Sequence, residues 1–135
     1  VVQTYLRKTD GWLWTPVETG ATHAGVPDSF WAHTPTQTCG WIEHKATNGW
    51  AVTVRPHQLA WIGHHTAAGV NCLFLVRAGG AGSAKKQGDS LWAVAGSHAR
   101  ALAENGLDNV PVLGRWYGAP ADWDWRAIRA TITGK

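Results

Sequence analysis

The stretch that most restricts the fold is "VNCLFLVR", Val70 to Arg77, a short apolar run bounded by Gly69 and Gly79. It is rich in strand formers and fits a buried β-strand better than a short helix. After it, "RAGGAGSAKKQGDS", Arg77 to Ser90, carries side chains too small or too charged to pack a core, so it reads as an exposed loop. The following "SLWAVAG" then reads as the hairpin partner of the first strand.

Upstream, "GWIEHKA" predicts a strand from about Trp41 to Ala46, and "GVPDSFW" another, with Pro27 at a strand start or edge. A turn and a short extended piece fall between Asn48 and Val54. "RPHQLAWIGHHTAAG" reads as a helix, with Pro56 in its first turn, Gly69 as its stop and Leu59, Ile62 and Thr66 along one side. A second helix is expected after Ser97, an N-cap residue, through "HARALAEN" to Gly106. "ADWDWRAIRATI" predicts a third, entered at Asp122, with Trp125, Ile128 and Ile132 at helical spacing. The first twenty-odd residues are ambiguous, "TPVETG" fitting a helix or its end. Strands alternating with helices in this order predict a mixed α/β sandwich.

At 135 residues the chain is long enough for one domain with a real core, and residues 1–135 are expected to form one. No apolar run approaches the roughly 18 to 20 residues that span a bilayer. The start "VVQTYLRKTDGWLW" lacks the pattern of a secretory signal, so no membrane association and a cytoplasmic location are expected. Cys39 and Cys72 form neither a disulfide framework nor a CxxC pair, and read as buried reduced thiols.

A net charge of +3 and a pI near 9.1 suit a polyanionic partner without requiring one. The distribution is more informative. From Val1 to Gly88 the only acids are Asp10, Glu18, Asp28 and Glu43, set among Arg7, Lys8, Lys45, Arg55, Arg77, Lys85 and Lys86. Two of those acids lie in apolar surroundings, where an unpaired charge is expensive. Strand alternation puts Glu43 and Lys45 on one face and Ile42 and His44 on the other. If Asp28, at the end of a neighbouring strand, meets Glu43, their repulsion calls for a proton or a cation between them. Two carboxylates completed by water and phosphate oxygens suit Mg²⁺. Lys45 is then placed to reach an attacking water or a phosphate oxygen that gains charge.

"PD" at Pro27 and Asp28, followed by "EHK" at Glu43 to Lys45, resembles the PD-(D/E)XK nuclease superfamily. Gly25 before the PD, the strand "WIEHKA", "RPHQLAW" a dozen residues on and "AAGVNCLFLV" after that are similar to its VRR-NUC and Holliday-junction-resolvase-like branch. The similarity covers about Val17 to Val76. It implies a central mixed β-sheet flanked by helices, with a restriction-endonuclease-like αβββαβ core. It further implies that Asp28 and Glu43 are metal ligands, with the main-chain carbonyl of His44 as a third and Glu18 as a further acid from an N-terminal helix. Lys45 becomes the catalytic lysine, and Gln58 the helix glutamine near the active site.

The function expected from this resemblance is a Mg²⁺-dependent DNA endonuclease, Mn²⁺ substituting, that resolves Holliday-like junctions as a homodimer in recombination or repair. A phage-encoded protein acting in the host cytoplasm would fit. A nickase or repair-type nuclease of the same fold, and a catalytically inactive DNA-binding module, are the alternatives. Arg7, Lys8, Arg55, Lys85 and Lys86 are candidate phosphate contacts.

Blander readings exist for each residue. An ExK on a strand can be a solvated ion pair, Asp28 a turn residue or helix cap, Gln58 a cap of its helix and Glu18 an ordinary surface acid. His57, His64 and His65 crowd one helix, which suggests a zinc hydrolase, but no HxH or HExxH occurs. His23 or His33 could hold phosphate near the PD strand. Of ten tryptophans, Trp41, Trp61 and Trp92 are core candidates. Trp12, Trp14, Trp50, Trp116, Trp123 and Trp125 lie in less regular segments that suit a dimer surface or a DNA-facing wall.

Overall fold

The computed structural model describes residues 2–7, 11–17, 25–79 and 89–134. In chain order the elements are α1 (Val2–Arg7), β1 (Trp12–Pro16), β2 (Ser29–His33), β3 (Thr38–Thr47), α2 (Pro56–Ala67), β4 (Cys72–Ala78), β5 (Ser90–Ala95), α3 (Ala99–Asn105), β6 (Gly114–Tyr117) and α4 (Trp125–Thr133). The fold is α/β, a mixed sheet with flanking helices, and its first six elements run αβββαβ. Strands lie in the order β1-β2-β3-β4-β5-β6. All neighbours are antiparallel except β3 and β4, which are joined by α2 as a crossover and run parallel.

The apolar run of β4 is continuous because the strand is covered on both faces. Leu73 and Leu75 enter one core with Leu6 of α1, Trp31, Ile42 and Ile128 and Ile132 of α4. Phe74 and Val76 enter the other with Ile62 of α2, Trp92 and Leu102 of α3. The β4–β5 hairpin forms as expected, with Phe74 opposite Val94. α2 starts at Pro56 and stops before Gly69, whose φ of +90° a glycine adopts without strain. Of its predicted inner side only Ile62 is fully buried. No helix among the described residues is long and apolar enough to cross a membrane.

Several expectations need correction. Thr15 and Pro16 of "TPVETG" belong to β1, not to a helix; β1 is an edge strand, where a proline breaks no interior ladder. Trp12 and Trp14 alternate inward from β1 and are buried, as is Trp123, so these three pack the core rather than form an outer wall. α4 is capped by Asp124, whose side chain accepts the Ala127 N–H at 3.0 Å, two residues after the expected Asp122. Cys72 is buried but Cys39 is exposed, on β3 near its turn.

Candidate active site

β3 carries the site. The β2–β3 ladder ends with Ser29 opposite Ile42, one residue short of Asp28 and Glu43. Beyond that point side chains replace main chain in the bonding between the strands. The Asp28 N–H donates to Glu43 Oε1 at 3.1 Å, and the His44 N–H donates to Asp28 Oδ2 at 2.8 Å. The two acids are thereby brought together where the strands part.

Alternation along β3 turns Glu43 and Lys45 toward α2, while Ile42 enters the opposite core and His44 lies beside Trp14, ring centroids 6.1 Å apart. In the first turn of α2, Gln58 Nε2 donates to Glu43 Oε2 at 2.6 Å, and Gln58 Oε1 accepts from Lys45 Nζ at 2.9 Å. The same oxygen accepts the Arg55 N–H at 3.0 Å. Gln58 therefore caps its own helix and links Glu43 to Lys45 through one amide. Lys45 Nζ stands 3.6 Å from Glu43 Oε2.

Gly25 sets the approach of the PD segment to α2. Its φ is +89°, and a Cβ there would collide with the His57 carbonyl oxygen, one residue before Gln58. Only a glycine lets the chain pass that close.

Glu43 is 2% exposed. Burial first, then the charge and hydrogen bonding of Asp28, push its carboxyl up to about 7, with Lys45 pulling in the opposite direction. Burial also holds the His44 imidazole below its usual range, against the pull of Asp28. Two carboxylates that repel each other are hard oxygen donors of the kind a divalent cation takes. Each Glu43 oxygen accepts one protein N–H, which leaves lone-pair capacity on both.

Arg55, exposed at the N-terminus of α2, stands at the rim of this cluster through its main-chain bond to Gln58. Arg7 ends α1, and its side chain lies outside the described residues, as do Lys8, Glu18, His23, Lys85 and Lys86. His33 is five residues from Asp28 along β2, roughly 17 Å, and its Nδ1 bonds Thr36 Oγ1 at 2.7 Å, so it does not serve the acids. Among the described residues no group of three or more His, Cys, Asp or Glu side chains is gathered for a metal. His57 and His64 are exposed, whereas His65 stacks on Trp61, so the three helix histidines make no zinc site. Sequence reasoning missed the bond from the His44 N–H to Asp28, since no local pattern reveals where one strand outruns its neighbour.

No protein-family model and no curated protein matches this chain.

Proposed function

We propose that this protein is a Mg²⁺-dependent endonuclease that hydrolyses DNA phosphodiester bonds. The observation that carries the reading is the linked set Asp28, Glu43, Lys45 and Gln58 at the C-terminal part of β3. Asp28 and Glu43, with the His44 carbonyl, are the residues that would hold the ion. When bound, the ion supplies Lewis acidity and lowers the pKa of a coordinated water.

The protein's own groups do the rest. Lys45 offers a positive charge to the nucleophile or to the phosphate oxygen that gains charge in the transition state. Gln58 acts through its neighbours: it fixes the Lys45 ammonium and the Glu43 carboxylate relative to each other, so neither needs to reorganise during the reaction. Arg55 contributes a phosphate contact beside them. The resemblance noted above favours branched DNA, cut by a symmetric homodimer.

Cleavage of labelled four-way junction, flap, duplex and single-stranded DNA with Mg²⁺, Mn²⁺ or EDTA tests the reading. Metal-dependent cutting that disappears in Asp28→Asn and Lys45→Ala supports it. Cutting that survives both substitutions places the site elsewhere, and tight DNA binding without turnover on any substrate marks a binding module instead.

A further inference from the structure

The acidic pair stands at one end of a sheet face that continues away from it. By register, Thr15, Phe30 and Trp41 form one row across β1, β2 and β3, and Leu13, Ala32 and Cys39 form the next. Alternation puts both rows on the face that bears Glu43 and Lys45. This face is open over β1 and β2: Leu13 is 63% exposed, and Thr15 and Cys39 are exposed. Neither row contains a charge.

Its wall is aromatic and continuous. The Phe30 and Trp41 rings meet edge-on at 5.2 Å, and Trp41 meets Trp61 of α2 edge-on at 5.3 Å. His65 lies flat on Trp61 at 3.5 Å, its Nδ1 held by the Trp61 carbonyl oxygen at 2.7 Å. Phe30, Trp41 and Trp61 each lie one same-face step from a member of the site. Phe30 follows Asp28 by two, Trp41 precedes Glu43 by two and Trp61 follows Gln58 by three. Two strand residues span roughly 6.6 Å, so the wall begins within reach of the base of a nucleotide beside a phosphate held at the pair.

Resting on the nuclease reading of that pair, we infer that the Phe30–Trp41–Trp61 wall stacks an unpaired base next to the scissile phosphate. The substrate class is DNA that is single-stranded at the cut, as in a flap, a branch or a free strand. Bases inside a continuous duplex have both faces covered by their neighbours and cannot occupy the wall. The rows carry no charge and run directly from the acidic pair, which favours as occupant the base of a nucleotide whose phosphate is held there.

The test is binding of a labelled single strand and of its blunt duplex in EDTA, where cutting is blocked, to wild type, Trp61→Ala and Cys39→Glu. Cys39 is exposed, so its variant keeps the fold even if Trp61→Ala loses it. Wild type is expected to prefer the single strand, and the single-strand to duplex affinity ratio to fall about tenfold or more in each folded variant. An unchanged ratio overturns the inference. So does a loss of dimer on sedimentation of Cys39→Glu at unchanged ratio, which would mean that a second copy covers the face. The nuclease reading is judged separately, by Mg²⁺ cleavage with wild type and Asp28→Asn. Cleavage lost in Asp28→Asn with an unchanged binding ratio sinks the wall alone, and a strand-selective wall with no cleavage sinks the nuclease alone.

Discussion

Gln58 Nε2 lies 2.6 Å from Glu43 Oε2, the shortest of the side-chain bonds that tie α2 to β3 at the acidic pair. The other end of the same amide holds Lys45 at 2.9 Å. Replacing Gln58 with Ala releases both groups and leaves the buried Glu43 with one donor fewer. Supporting partners of metal ligands are commonly worth about 10- to 100-fold in affinity or activity. Single-turnover cleavage by Gln58→Ala is therefore expected to fall by a factor of this order, with a raised Mg²⁺ requirement. A lower rate at unchanged Mg²⁺ dependence would show that Gln58 does not act through Glu43.

Stability should depend on pH through Glu43. Its carboxyl titrates near 7 in the folded protein against 4.5 ordinarily, so between those values the folded state holds more protons than the unfolded one. The favourable contribution is present below about 4.5 and is lost as pH rises through about 7. Without divalent ions, Tm of wild type should drop over this window more than Tm of Glu43→Gln. Added Mg²⁺ should raise wild-type Tm more at pH 8 than at pH 5. Parallel pH profiles for the two proteins would contradict the assignment.

Two glycines separate backbone strain from close approach. Gly25 and Gly69 have φ of +89° and +90°, but a Cβ on Gly69 meets nothing within 4 Å, whereas one on Gly25 meets the His57 main chain. Gly69→Ala should cost about 1 kcal/mol, and Gly25→Ala clearly more. Chemical denaturation would measure both, and equal losses would mean that the contact with α2 is soft.

The cap of α4 gives a local comparison. Asp124→Ala removes the acceptor for the Ala127 N–H and should cost about 1 kcal/mol. Asp122→Ala, at an exposed position before the helix, should cost less. Thermal unfolding of the two variants distinguishes them.

Arg55 lies at the exposed rim of the site. Arg55→Ala should weaken DNA binding regardless of sequence and reduce the slope of log affinity against log salt by about 1. An unchanged slope would remove Arg55 from the phosphate contacts.

The elements legible in the sequence were those whose pattern reflects their own burial. The β4 run, the β4–β5 hairpin and the Pro56-to-Gly69 limits of α2 could be read directly, because apolar runs and helix stops act locally. The short edges were harder. β6 is a four-residue strand, and β1 carries only two inward tryptophans, so neither offers enough period to be told from a loop. Asp122 and Asp124 are equally plausible caps by residue type, and only the turn of chain before α4 selects between them.

At the site, the sequence by itself determined which groups share a face of β3, since strand alternation follows from backbone geometry alone. It also supplied the acids, the lysine and the glutamine at positions where they could meet. Only the tertiary structure decided that they do meet. The β2–β3 ladder stops at Ser29, Gly25 lets the PD segment press against α2, and Gln58 thereby reaches Glu43 and Lys45 together. Residues 15 apart in sequence become hydrogen-bonded neighbours in this way, through strand register and helix packing, which no local pattern encodes.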